Sequence, residues 1–293
     1  MSCPCLLGSC GRQGGLALVI VLWVVAALSV LVLGLSQTSR LQTQLTQHHR
    51  AATEARALLE AGLVVGMARV AWFGSINQRD SHAFDLGGAQ VQVDIHPATG
   101  FIDLNEAPAD LLARLFRYGA GLETEPAEAL AAAVVDWRDS DPMNRDSRAE
   151  GYRGPFRVPE EVGQVPGASR DLHDSIKRYV TLYSGAPQVN PFAAPRGVVG
   201  ILSGGDEALV DAMMADSGDG FRPRTKLGES LDGLPFLTLA GSSAFRIDVS
   251  LQTRARNWRL SRWVRQDGLD ANALGVVVLR TEALTARSAG EAY

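Results

Sequence analysis

Residues 16–35, LALVIVLWVVAALSVLVLGL, carry no charge, and Ser29 is their only polar side chain apart from the indole of Trp23. At about 1.5 Å of rise per residue, a helix of this length spans roughly 30 Å, the depth of a bilayer's hydrocarbon core. Such a run must be covered by lipid or by other apolar surface, and the rest of the chain is built outward from it. What precedes it is short, MSCPCLLGSCGRQGG, closing on Gly14-Gly15. A secretory signal places a small-residue cleavage site after its apolar core. Here Ser36-Gln37-Thr38-Ser39-Arg40 follows instead, and then a helical pattern, so the processing signal stands ahead of the apolar segment.

That order resembles a type IV prepilin-like leader, which a dedicated peptidase cuts after a glycine on the cytoplasmic side. By this resemblance cleavage falls between Gly15 and Leu16, with Gly14 as the competing position; an ordinary signal anchor is the other reading. Cys3, Cys5 and Cys10 are the only cysteines and all lie in the leader. A product starting at Leu16 has no thiol, so packing or a metal must stabilise it. The C-x-C-x4-C spacing lacks a nearby fourth ligand for zinc. The formal net charge is −4 and lysine is confined to Lys177 and Lys226. No block of like charge marks a nucleic-acid tail.

From 40 to 73 apolar residues (Leu41, Leu45, Ala52, Ala55, Leu58, Leu59, Leu63, Val64, Met67 and Val70) recur at helical steps, with Gln, His, Arg and Glu on the other face. Gly62 and Gly66 read as tolerated weak points. Residues 74–88 read as loop. Residues 89–96 alternate as a strand, and a turn at Pro97-Ala98-Thr99-Gly100 leads to a second strand at 101–104, giving a hairpin. Helical patterns cover 107–116, 126–138, 159–165, 169–183 and 206–215. Residues 243–255, 260–264 and 275–279 read as antiparallel strands, with a turn at Asn257-Trp258, and the chain after Thr281 as a frayed tail. Residues 105–115 are echoed by 192–202: both hold Ala-Pro, two spacers, two apolar residues, two spacers and Leu.

The expected fold is α+β: a long N-terminal transmembrane helix and a small antiparallel sheet, with a large all-helical domain inserted between strands. The expected boundaries are 1–15 for the leader, 16–75 for the helix (transmembrane over 16–35), 76–104 with 236–293 for the β domain, and 105–235 for the insertion.

Four stretches carry a closer resemblance. They are the Arg-Gln-x-Gly leader end before Leu-Ala-Leu-Val; Gly100-Phe101-Ile102-Asp103-Leu104-Asn105-Glu106-Ala107-Pro108; Asp136-Trp137-Arg138-Asp139-Ser140-Asp141; and Gly154-Pro155-Phe156 through Glu161 to Val165-Pro166-Gly167. Together they resemble the K-type minor pseudopilin family of the type II (general) secretion pathway, from the leader to the last strand. The chain departs from the pattern between the acidic loop and Gly154, where the family's longer tract is reduced to Ala149-Glu150-Gly151-Tyr152-Arg153. The resemblance implies a non-enzymatic subunit of the inner membrane, single-pass, with its C-terminal domain in the periplasm. Its partners would be other minor pseudopilins in a tip complex, the major pseudopilin and the prepilin peptidase. The alternatives are a type IV pilus-like minor pilin, or a signal-anchored periplasmic protein with helix-hairpin-helix modules. Most pilin-like subunits carry Glu where this chain has Ile20, which fits a subunit with no earlier neighbour above it.

Asp136, Asp139, Asp141, Asn144, Asp146 and Glu150 gather oxygens within one loop, and calcium takes six to eight oxygen ligands from irregular loops. Asp136, Asp139, Asp141 and Glu150 are the expected calcium ligands, and the family's helical domain binds that ion. The spacing is not an EF-hand's. The hairpin after Leu111-Leu112 resembles a phosphate-binding helix-hairpin-helix, but Glu123, Glu125 and Glu128 follow it and would repel phosphate, so no nucleic acid is expected. The five histidines form no metal or catalytic pattern, and neither a G-x-S-x-G nor a P-loop occurs.

Overall fold

The helical spacing of the N-terminal quarter becomes α1, Gly14–Phe73, in the computed structural model. The structure describes residues 14–73, 77–140, 153–169, 171–215, 236–253, 256–267 and 275–288; within these, the side chains of 14–17, 31–49, 73 and 215 lie outside the description. The chain divides into two compact units, Met1–Arg56 and Ala57–Tyr293. In the first, every described side chain of the apolar run is exposed, Leu18 at 69%, Trp23 at 73% and Val30 at 71%. Ser29 Oγ returns its proton to Val25 O at 2.8 Å, which satisfies that hydroxyl within the helix. Among the described residues no helix is long and apolar enough to cross a membrane; the described side chains span only part of the 16–35 run.

The second unit holds an antiparallel sheet. β1 (Asp80–Leu86) and β2 (Ala89–Pro97) form a hairpin across Gly87 and Gly88, whose φ values of 63° and 82° suit a tight two-residue turn. Two expectations are corrected here. Residues 74–88 are not all loop, because β1 occupies their second half. Nor is the partner of β2 the 101–104 stretch. Pro97-Gly100 makes a buried 3₁₀ turn that leads the chain off the sheet, with Phe101 N bonded to Ala98 O at 3.0 Å. Beyond it β3 (Ile102–Asp103) pairs in parallel with β4 (Val180–Thr181).

After β3 come α2 (Ala109–Arg114), continued by a π-helical turn over Leu115–Gly119, and α3 (Thr124–Arg138). A 3₁₀ turn at Pro159–Gln164, α4 (Leu172–Ile176), α5 (Arg196–Leu202) and α6 (Glu207–Ala215) follow. The segment 169–183 is therefore not one helix, since its C-terminal part is β4, and the block is not purely helical. β5 (Ala244–Gln252) then returns to lie beside β2 in antiparallel register, Val93 opposite Val249 and Ile95 opposite Ile247. β6 (Arg256–Gln266) and β7 (Val276–Thr281) extend the sheet to the order β1-β2-β5-β6-β7. The expected tail forms β8 (Thr285–Ser288), which also pairs with β6, because β6 is long enough to carry two partners end to end.

α1 lies against this sheet through Leu59, Leu63 and Val70, all fully buried. Gly62 and Gly66 are contacts rather than weak points. A Cβ at Gly62 would lie 2.6 Å from Val249 Cγ1 and 3.1 Å from Val91 Cγ1; one at Gly66 would lie 2.6 Å from Ile247 Cγ2. Arg262 to Glu60 at 3.1 Å, and the ion pair of Arg69 with Asp80, hold the flanks.

The sequence echo is matched in three dimensions. Asn105 N bonds Asp103 Oδ1 and Phe192 N bonds Asn190 Oδ1, both at 3.0 Å. Pro108 and Pro195 then precede α2 and α5 with nearly identical dihedrals, −67°/158° and −63°/155°. Ile102 pairs in parallel with Val180, and Val189 bridges in parallel to Leu237. Thr181 and Thr238 each accept the N–H two residues on, at 3.1 Å.

Candidate functional site

α3 ends where the acidic loop begins. Asp136 and Asp139 both stand exposed there, one turn apart. Asp139 lies 3.5 Å from Arg138, whose Nη1 reaches Leu104 O at 2.9 Å. On the far side of the loop, Asn105 Oδ1 accepts Phe156 N at 2.8 Å and Asn105 Nδ2 donates to Phe156 O at 3.0 Å. The described residues on both flanks of the loop are thus tied to the same exit from β3. Asp141 and Glu150 lie outside the described residues. Among the described residues no group of three or more His, Cys, Asp or Glu is arranged to hold a metal. The two carboxylates present fit a cation in one respect. They sit at a helix C-terminus, where the dipole disfavours anions by about 0.3–1 kcal/mol, and a cation would offset that. Gly15 and Leu16, the expected cleavage pair, lie on α1, where only their backbone is described.

The hairpin between α2 and α3 borders a cavity of about 450 Å³, lined by Asp110, Arg114, Arg117, Tyr118, Thr124, Glu128 and Phe236 among others. Two carboxylates beside two guanidiniums make a mixed lining rather than a cationic phosphate cradle.

Two features were not read from the sequence. The first is the face of α1 turned away from the sheet. Ala57, Ala61, Val64, Ala68 and Trp72 follow one another at helical steps along it. Val64 is 53% and Trp72 83% exposed. The expected polar face does not persist here, because Arg69 is the only charged residue after Glu60 on α1. That scarcity of charge was the available signal.

The second is the seam between the sheet and the helical block. Arg246 on β5 is buried over the rings of Phe101 and Trp263, 5.7 and 5.9 Å from their centroids. It bonds Asp248 at 3.0 Å and Glu282 at 3.3 Å. Burial alone would push the Asp248 carboxyl up; Arg246, His96 and a bond from Ser261 outweigh it and hold it below its ordinary value. Phe101 meets Trp263 edge-on at 5.1 Å, and Tyr183 meets Trp263 at 5.4 Å. Further along, Arg280 on β7 grips both oxygens of Glu160 and holds its carboxyl at about 2.

No family model and no curated protein matches this chain. Its fold is similar to a chain of the GspK-GspI-GspJ complex from the enterotoxigenic Escherichia coli type 2 secretion system. The identity is 16% and the TM-score 0.44, over 83% of this chain and 98% of that one.

Proposed function

We propose that this chain is a non-enzymatic minor pseudopilin of the type II secretion kind, placed at the tip of a short periplasmic filament. There it would join other minor pseudopilins to initiate and cap the filament. The observation that carries this reading is the outward face of α1. An apolar stripe with exposed Val64 and Trp72 is costly in water, and its alanines let a second helix approach closely. In this reading residues 16–35 span the inner membrane, the peptidase exposes Leu16, and the block between β2 and β5 forms a helical head in the periplasm. Ile20 supports the tip position: a carboxylate at that depth costs about 2.5–3.5 kcal/mol and is kept only where a partner offsets it. A head of this bulk also favours a single copy over repetition along a wound shaft.

The test is cysteine cross-linking from positions 57, 61 and 68 in cells that express all the pseudopilins. Discrete adducts with other minor pseudopilins are expected, with an adduct mass that starts this chain at Leu16. Addition of Ala61→Glu should remove them. Homotypic ladders, as a shaft subunit gives, would overturn the tip assignment.

We further propose that the acidic loop holds calcium through Asp136, Asp139, Asp141 and Glu150. An ion bound only by the folded chain stabilises it by about 2.7 kcal/mol at a hundredfold excess over Kd. Melting in millimolar calcium should therefore exceed melting in chelator by several degrees, and Asp139→Ala should shrink the difference. Coincident curves for the unsubstituted protein would remove calcium from the account.

A further inference from the structure

His96 occupies the end of β2, directly before the turn that carries the chain from the sheet into the helical block. Its Nδ1 is sealed from solvent and has no hydrogen-bond partner among the described residues. Its ring meets Phe101 edge-on at 6.0 Å. The turn beyond it is the seat of the second copy of the internal repeat. Asn190 N bonds Thr99 O at 2.7 Å, and a Cβ at Gly100 would lie 2.4 Å from the backbone of Ala193. Arg79 closes the same contact, with its N bonded to Phe192 O at 3.1 Å and its Nη1 to Ala194 O at 2.8 Å.

We propose that His96 makes this seam acid-sensitive: a proton taken up on its sealed Nδ1 loosens the turn at 98–101 and its grip on residues 190–194, while the sheet stays paired. The charged groups around the ring are Asp94 on its own strand, Arg246 and Asp248 on β5, and Arg79 ahead of β1. Each of these carboxylates is engaged through its Oδ1, and neither is bonded to His96 Nδ1. Asp94 accepts from Ser81 at 2.5 Å and Gln92 at 3.1 Å; Asp248 accepts from Arg246 and Ser261. Glu282 is likewise bonded to Arg246. A proton on Nδ1 would thus make His96 a third cation beside Arg79 and Arg246, and would place its new N–H where no acceptor among the described residues lies within hydrogen-bond distance. The outlet is movement of the ring, which unseats Phe101 from Trp263 and strains the turn on Ala193.

Burial pushes His96 below its ordinary value; Arg246 and Arg79 add to this, and Asp248 and Asp94 oppose it. For a histidine lowered in the folded state, stability is full above the unfolded value of about 6.5 and is lost as pH falls from there toward the folded value.

The experiment is hydrogen exchange by mass spectrometry on the full chain in detergent micelles, from pH 7 to pH 5, with rates corrected for intrinsic pH dependence. Peptides covering 98–104 and 190–194 are expected to lose protection by up to about tenfold per pH unit below pH 6.5, the limit for one proton. Peptides from β5 and β6 should hold theirs, and His96→Gln should flatten the response. Unchanged protection, simultaneous loss across the sheet, or the same response in His96→Gln would overturn the proposal. If that variant does not fold, NMR titration of His96 in the unsubstituted chain decides. A value at or above 6.5 refutes the proposal, and a lower one that tracks the exchange supports it.

Discussion

Gly66→Leu is expected to destabilise the second unit by upward of about 3 kcal/mol, and Gly66→Ala by only about 1 kcal/mol. Two effects of opposite sign meet at this position. Alanine is the better helix former by about 1 kcal/mol. Against that, its Cβ would lie 2.6 Å from Ile247 Cγ2 on a buried strand, and overpacking of this kind costs about 1–3 kcal/mol. For alanine the propensity gain offsets part of the overpacking and leaves a cost of about 1 kcal/mol. For leucine the propensity gain is about the same, while four carbons must enter space already filled by Ile247 and Val93. The helix would then have to lift from the sheet, exposing Leu59, Leu63 and Val70. Urea denaturation followed by tryptophan fluorescence reads the difference.

Gly62 offers a sharper check, because its closest obstacle is one side chain, Val249, with Val91 at the looser 3.1 Å. Val249→Ala alone should cost about 2 kcal/mol as a cavity. In a Gly62→Ala background it removes the methyl that the new Cβ meets, so the pair should cost less than the sum by about 1 kcal/mol or more. Strict additivity would mean that α1 does not approach the sheet here.

Asp103→Ala is expected to cost about 3–5 kcal/mol, near the upper end for a point substitution. Asp103 is 2% exposed, yet its carboxylate is well supplied with donors. Oδ1 accepts Asn105 N at 3.0 Å; Oδ2 accepts Ser184 N and Ser184 Oγ at 3.0 Å and Gly185 N at 3.1 Å. Hydrogen bonds to a charged group contribute about 1.5–3 kcal/mol, and buried donors left without an acceptor cost about 1–3 kcal/mol each. Alanine abandons all of them and frees β3 from the segment after β4. Asp103→Asn keeps one oxygen but turns an NH₂ toward donors, so a loss of about half that size is expected. Thermal melting of the two variants beside the unsubstituted chain tests this. A shift of only a degree or two for Asp103→Ala would show that solvent reaches these amides.

The sequence by itself determined the long first helix, since an uncharged run followed by three- and four-residue apolar steps has no other regular solution. It determined the helix start at Pro108, because proline fixes φ and lacks the N–H that a first turn leaves unbonded; the start after Pro195 was legible only as an echo of that stretch. Strands were also legible at 89–96 and 243–255, from alternation, but 260–264 caught only part of β6, whose start at Arg256–Arg259 includes the Asn257-Trp258 pair expected to be a turn. The flanks of the acidic loop were legible as chemistry, but their joint anchorage at Leu104 and Asn105 was not.

Tertiary structure decided the rest. β1, with sequence DSHAFDL, has too little alternation to announce itself; it becomes a strand because Gly87 and Gly88 turn it back onto β2. β3 and β4 are two residues each and exist only through each other, across a separation no local pattern encodes. Whether Gly62 and Gly66 weaken a helix or fit it to a sheet depends on what lies opposite, namely Val249 and Ile247. The cluster of buried Arg246 with half-buried His96 and Asp248 arises because alternate residues of β2 and β5 share one face. That placement follows from strand register, which spacing along the chain does not record.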